Sequence, residues 1–329
     1  MAHSSSTSSS DVDIGPFAST GWPQLWRRLA TFIVAVMIAV EGTGHALDRI
    51  RHEIYGGTLT TINVALRAEP AILIVGSSTA VHHFDDEALT AALGARVYNA
   101  GSDGRGVVFG RAVLALVCAR ERLQVVVVDV RRNKDELSRS QPNLAPFVDD
   151  SAVVREILDH DWANRVMLSS HGFRYNGAAL PALAKLRARF VDRSWGFLPL
   201  DATYDPTEVV RTPSPSPDSV PWYSSVIRED HWYAAQLVAL VQEARACGAE
   251  VMFVESPNAA ETERQPNVLS LFHRVADEHS VPYLDFGATA RPALRDPTLF
   301  ADAGHLNVKG ARLITAYLQD ELLRRRRAH

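Results

Sequence analysis

The chain has 329 residues, 47% of them hydrophobic and 22% charged, with a formal net charge of -4. That is the composition of a globular protein, with enough chain for one large domain or two small ones. The mild acidity speaks against a nucleic-acid partner, which would leave a basic field on the protein. With only two cysteines, Cys118 and Cys247, a cysteine-built zinc site is excluded and a disulfide framework is absent. Both fall in helical patterns just ahead of apolar strands. They read as small core residues, with one disulfide open to them if the domain is exported.

The first ten residues are rich in serine and are expected to be disordered, within a tail over 1–24. Trp26-Arg27-Arg28 then precedes an uncharged apolar run over 29–40. Glu41 interrupts it, and weaker apolar character continues to Leu47. The strict run is shorter than the ~20 residues a spanning helix prefers, whereas counting through Leu47 gives enough length. Three readings compete. The favoured one is a single-pass membrane anchor over 25–47. A cleaved signal sequence would have to use Gly44-His45-Ala46, a poor cleavage site. The third is a buried helix of a soluble domain. Arg27 and Arg28 favour a cytoplasmic N-terminus and an extracytoplasmic remainder, while the basic stretch at 49–52 works against that orientation.

Residues 48–69 read as a stalk or first helix leading away from the anchor. From there strands and helices alternate. Residues 71–75 form a continuous apolar run, as expected of a strand buried on both faces. A helix follows over 85–93 with Asp85 as its N-cap, then a short strand at 96–98 and a helix over 107–123. Residues 125–130 are a third, very apolar strand. The alternation stops over about 134–230, where loop signals such as 212–217 (Thr-Pro-Ser-Pro-Ser-Pro) separate helical pieces near 153–158 and 178–190. That stretch is too long for a simple connection and reads as a lid or substrate-facing insertion. A helix over 233–247, a strand at 251–254, a helix over 269–279, a strand at 282–285 and a final helix over 308–325 complete the chain. The pattern predicts an α/β fold: three layers, α/β/α, around a parallel five-stranded sheet with right-handed crossovers. Ligands on such sheets bind at the carboxyl ends of the strands. The Ser77-Ser78 turn, the turn at Asn99-Ala100-Gly101, and Asn133 all follow strands and are therefore candidates for one rim.

Chemistry enters through joint occurrence. Asp302 and His305 reach one site if the backbone turns between them, and Gly76-Ser77-Ser78 directly follows a buried strand. A serine on a strand-to-helix turn with a distant Asp/His pair supplies the parts of a nucleophilic triad. Taken singly, each has a plainer reading. The serines suit a helix cap, Asn99 to Gly106 suits a glycine-permitted turn, and Asn133, Asp302 and Asn307 suit caps. Neither glycine-rich stretch has dinucleotide or P-loop spacing.

In order along the chain, these segments resemble the SGNH/GDSL hydrolase superfamily over 71–133 and from 251 to the C-terminus. Its first block, Gly-Asp-Ser, is matched by Gly76-Ser77-Ser78, which makes Ser78 the nucleophile. Its second, a glycine in the turn after the second strand, is matched by Asn99-Ala100-Gly101-Ser102-Asp103-Gly104, with Gly104 at the oxyanion position. Its third, Gly-x-Asn-Asp, keeps only the asparagine, Asn133, in Arg131-Arg132-Asn133-Lys134. Its last, Asp-x-x-His, is Asp302 and His305. The resemblance implies a flavodoxin-like hydrolase domain over 70–329. The Ser78 and Gly104 amides and the Asn133 side chain would form its oxyanion hole. It implies acyl transfer through Ser78 with no metal or organic cofactor.

Gly-Ser-Ser is similar to membrane-tethered branches that modify surface polysaccharides, such as those acetylating alginate or assisting D-alanylation of teichoic acids. The implied substrate is an acylated, most plausibly acetylated, carbohydrate or other acyl ester. The implied partners are the membrane and a membrane-bound acyltransferase. The rival reading is a non-catalytic module of the same fold that binds a glycan or such an acyltransferase. A soluble intracellular lipase is a third reading. Further substrate contacts are expected from His82, from Glu255 at the end of the fourth strand, and from His171 and Arg174 in the polar run 169–176. Trp195, Trp222, Tyr223, Trp232 and Tyr233 read as insertion core or as platforms for sugar rings.

Overall fold

The computed structural model describes residues 22–53, 59–130, 136–159, 162–175, 196–205, 226–259, 266–287 and 291–328. The serine-rich tail, the helix expected over 178–190, the run 212–217, and Asn133, Asn176, Trp195, Trp222 and Tyr223 lie outside the described residues.

Five parallel strands form one sheet: β1 (Ile72–Val75), β2 (Val97–Asn99), β3 (Val125–Asp129), β4 (Glu250–Glu255) and β5 (Tyr283–Asp285), in the order β2-β1-β3-β4-β5. The helices are α1 (Trp22–Ile50), α2 (Thr60–Ala68), α3 (Ser78–His83), α4 (Asp86–Leu93), α5 (Val107–Cys118), α6 (Glu136–Leu144), α7 (Ala152–Leu158), α8 (Trp162–Ser169), α9 (His171–Arg174), α10 (Val226–Ala246), α11 (Pro266–Glu278) and α12 (Val308–Ala328). The predicted α/β class with a parallel five-stranded sheet is therefore observed. The apolar runs of β1 and β3 are continuous because both faces are covered. Leu73, Val75, Val126 and Val128 join a core with residues of α2, α5, α10 and α11. Ile72, Ile74 and Val127 join the opposite core with Ala80, Leu89, Ile314 and Leu318 of α3, α4 and α12. β2 lies on one side of β1 and β3 on the other, so the winding direction reverses at β1. Val75 pairs with Val128, which levels the carboxyl ends of β1 and β3 and opens a crevice there.

Local signals place the element ends. The Asp85 carboxylate accepts from the Ala88 amide at 2.9 Å, capping α4 as its sequence predicts. α5 stops at Cys118 rather than reaching 123. The amides of Arg120 and Glu121 both bond the Val117 carbonyl there, and the chain turns toward β3. Residues 48–69 are no stalk: Leu47, Leu59, Ile62, Val64 and Ala65 are buried in the same core as β1 and β3. The first part of the insertion is core too, since Leu144, Phe147, Val154, Ile157 and Leu158 join that cluster. Arg111, buried in α5, ties three helices together, α5, α7 and α10. Its guanidinium lies 2.6 Å from Glu243, 3.0 Å from Glu156 and 2.6 Å from the Gln236 side-chain oxygen.

α1 is not a buried helix. Trp22, Leu25, Trp26, Phe32, Ile33, Val34 and Ile38 are exposed, and of its residues only Gly44 and Leu47 are buried. It is long and apolar enough to cross a membrane. Of the two readings of the cysteines, the disulfide holds: Cys118 and Cys247 are bonded, joining the ends of α5 and α10 across 129 residues of sequence. Closing so long a loop restricts the unfolded chain. Replacing both cysteines by alanine is expected to lower the unfolding free energy by about 2–4 kcal/mol. Comparing urea midpoints of the oxidised parent and the double variant checks this, and equal midpoints would remove the bond from the stabilising interactions.

Candidate active site

The site starts where β1 ends. A Cβ at Gly76 would stand 2.7 Å from the Asp129 Cβ and 2.9 Å from the Ala80 Cβ, so the turn accepts only glycine. The next two serines part ways. Ser77 is fully buried. Its hydroxyl lies 3.0 Å from the Thr79 hydroxyl, which donates to the Asp129 carboxylate. The other Asp129 oxygen accepts from Ser256 at 2.7 Å. Ser78, the first residue of α3, points to the rim, and its Oγ lies 2.7 Å from His305 Nε2. His305 Nδ1 is 2.9 Å from both Asp302 oxygens. A nitrogen held between two carboxylate oxygens carries the proton, so Nε2 is left as the acceptor for the Ser78 hydroxyl.

The Asp302–His305 turn is built to hold this arrangement. Asp302 Oδ1 also accepts from the Gly304 and His305 amides at 2.8 and 2.9 Å. Burial works against the ionised Asp302. The His305 and Gly304 hydrogen bonds outweigh it and hold the carboxyl below the usual carboxylate range. Leu306 donates its amide to Nε2 of the buried His83 at 2.9 Å, so the end of α3 grips the histidine loop from beneath. Asn307 caps α12, accepting from the amides of Lys309 and Gly310. Its own amide group donates to the Thr298 and Phe300 carbonyls.

The turn after β2 closes on the same place. Ser102 donates its amide to the Gly76 carbonyl at 3.1 Å. Asn99 donates to the Ala80 and Phe84 carbonyls and accepts from the Gly101 amide. Gly104 follows with φ +68°, a conformation that favours glycine. No described residue accepts from the amide of Ser78 or of Gly104. Asn133 lies outside the described residues. His82 stands edge-on to His305 at 5.3 Å and donates Nδ1–H to the Leu198 carbonyl at 2.7 Å.

Leu198 belongs to a strap, residues 196–205, that the sequence did not signal. The strap crosses from the β2 rim to the histidine loop. The amides of Gly196 and Phe197 bond the buried Asp86, and Leu198 bonds the Val81 carbonyl. Leu200 accepts from Val308, and Tyr204 bonds the Phe300 carbonyl. Burial pushes the Asp86 carboxyl up against the pull of these amides. As an acidic residue in a first helical turn, Asp86 carried no sign of this anchoring role.

Three expected substrate contacts are used elsewhere. His171 bonds Asp48, and its ring stacks on His45 of α1. Arg174 bonds the Leu168 carbonyl and Asp149. Both belong to α9, which packs on α1 and α8. Glu255 is buried and accepts from the Tyr283 hydroxyl at 2.9 Å, a pairing across the neighbouring strands. Burial first, and then Glu255, push that phenol far up. Of the two described aromatics from the sugar-platform set, Tyr233 is core against Phe272, and Trp232 is partly exposed on α10.

No protein-family model matches the sequence, and no curated protein matches it. Among solved structures, the chain is similar to a crystal structure from Bacteroides fragilis of a protein assigned by inference as an acylhydrolase. The two share 11% identity over 77% of this chain and 86% of that one, with a TM-score of 0.38.

Thr79 is the step between Ser77 and Asp129. Thr79→Val removes a donor from a buried carboxylate and is expected to cost about 1–3 kcal/mol of stability. Thermal unfolding reads the loss, and an unchanged midpoint would show that Asp129 does not depend on it.

Proposed function

We propose that the chain is a membrane-anchored serine esterase or O-acyltransferase acting on acyl esters of a cell-surface carbohydrate. The observation that carries this reading is the unbroken line Ser78 Oγ–His305 Nε2/Nδ1–Asp302, at 2.7 and 2.9 Å. His305 takes the Ser78 proton as Oγ bonds to the acyl carbonyl carbon. Asp302 steadies the imidazolium. The oxyanion falls to the amides of Ser78 and Gly104, with the Asn133 side chain as third donor, each worth roughly 3 kcal/mol of barrier. His305 returns the proton to the departing alcohol, leaving acyl-Ser78. The same imidazole then deprotonates water, for hydrolysis, or a sugar hydroxyl, for transfer, as that oxygen bonds to the acyl carbon, and it returns the proton to Ser78 Oγ as the acyl–Oγ bond breaks.

An open rim suits a bulky acceptor. The Asp302 and His305 side chains are 57% and 25% exposed. His82, beside His305, is the remaining contact for substrate. The exposed apolar face of α1 supports an anchor. The disulfide supports an oxidising compartment outside the cytoplasm, in keeping with Arg27 and Arg28 on the inner side. A membrane-bound acyltransferase would supply the acyl group in the transfer version.

A fluorophosphonate probe is expected to label the parent and Ser77→Ala but not Ser78→Ala. Labelling that is equal in the parent and Ser78→Ala would favour the non-catalytic module, whose motive is the serine at position 77. Asp302→Asn should retain the fold and lower kcat/KM for a p-nitrophenyl acetate by roughly 10³–10⁴-fold. For localisation, the full chain is expected to stay in the membrane pellet after alkaline carbonate washing. Release into the supernatant would replace the anchor with a soluble protein.

A further inference from the structure

Glu41, His45 and Asp48 lie at i, i+4 and i+7 on α1, which puts them on one helix face. That face meets α9 at two glycines. A Cβ on Gly44 would run into the His171 backbone, and one on Gly172 into the backbone of Val40. The two helices can approach this closely only without those side chains. Glu41 then accepts from the Ser170 hydroxyl at 2.7 Å and the His171 amide at 3.0 Å. His171 gives its Nδ1 proton to Asp48, whose other oxygen accepts from the Tyr175 hydroxyl at 2.7 Å. With Nδ1 committed, His171 Nε2 carries a free lone pair. The His45 ring stacks on His171 with centroids 3.9 Å apart, and its Nε2 lies 3.8 Å from Glu41. One ligand atom each from Glu41, His45 and His171 falls within 4.8 Å of the others.

We propose that Glu41, His45 and His171 bind a divalent ion of the zinc class, which clips α9 to the domain end of α1. Two imidazole nitrogens and one carboxylate oxygen are a donor set that zinc accepts, with water completing a tetrahedron. Asp48 does for His171 what outer carboxylates do for metal-bound histidines: it fixes the tautomer and the ring plane. Ser170 and Tyr175 already order the two carboxylates. The ion takes no part in the acyl chemistry, and the proposal stands or falls apart from it.

The test uses the full chain in detergent, purified without an affinity tag and stripped with a chelator. On titration with zinc or cobalt we expect one ion per chain, a higher unfolding temperature, and for cobalt the intense visible absorption of a low-coordinate site. His45→Ala should fold, because that ring is half exposed and meets Glu41 and His171. It should bind at least 100-fold more weakly. Asp48→Asn should weaken binding 10–100-fold. Failure of the parent to take up an ion at micromolar zinc overturns the site. So does uptake that His45→Ala and His171→Ala leave unchanged.

Discussion

The Asp129 carboxylate, buried at the carboxyl end of β3, sets the shape of the rim. A carboxylate taken out of water must be met by donors, and here they come from both neighbouring strands: Thr79 after β1 and Ser256 after β4. Gly76 leaves no room for a side chain above it. Three strand ends are thereby drawn to one centre. The turn after β1 has a single way to run, with Ser77 folded inward onto Thr79 and Ser78 turned outward. The position of the candidate nucleophile follows from satisfying the buried Asp129 carboxylate of the neighbouring strand through Thr79, the residue next to Ser78.

The histidine side of the candidate triad is made differently. Asp302 and His305 sit on an exposed turn, and what steadies them is backbone. The Gly304 and His305 amides hold the carboxylate, and the Leu306 amide holds His83. Because His83 ends the helix that Ser78 begins, Ser78 and His305 are both referred to one short helix, α3. The strap adds a second reference, since it bonds Val81 and His82 at one end of its path and the Phe300 and Val308 backbone at the other. Distances between groups 227 residues apart in sequence are thus controlled by contacts within a few residues of each.

Local signals made much of this legible. The strands of β1 and β3 announce themselves as apolar runs, Asp85 as a cap, and Asp302/His305 as a pair near the start of the last helix. Taking Ser78 rather than Ser77 as the candidate nucleophile came from matching Gly76-Ser77-Ser78 to the first block of the resembled superfamily. Features that depend on distant partners were not legible. α2 resembles any short amphipathic segment until its apolar residues are seen against α5 and β2, so 48–69 read as a stalk. Arg111 is an ordinary helical arginine until Glu156 and Glu243 arrive from α7 and α10. His171 and Arg174 advertise hydrogen bonding without saying to whom, and their partners prove to be Asp48 and Asp149. Cys118 and Cys247 could be placed at helix ends but not joined, because pairing is a statement about space.

The bond between those cysteines closes a covalent ring that contains the whole of the inserted stretch. Length added inside a ring whose ends are already pinned costs little: each doubling of a flexible loop adds only about 0.6 kcal/mol. Helices α5 and α10 are locked at their ends, and between them α6 and α7 are tied to the core through Leu144, Ile157 and the Arg111–Glu156 pair. Length added between those anchored helices and α10 can therefore change over evolutionary time without unseating the strands. That freedom falls on the part of the chain that includes the strap beside Ser78 and His305. A lineage could reshape the surroundings of Ser78 and His305 by rewriting this segment alone, while Asp129 and the residues it organises stay as they are.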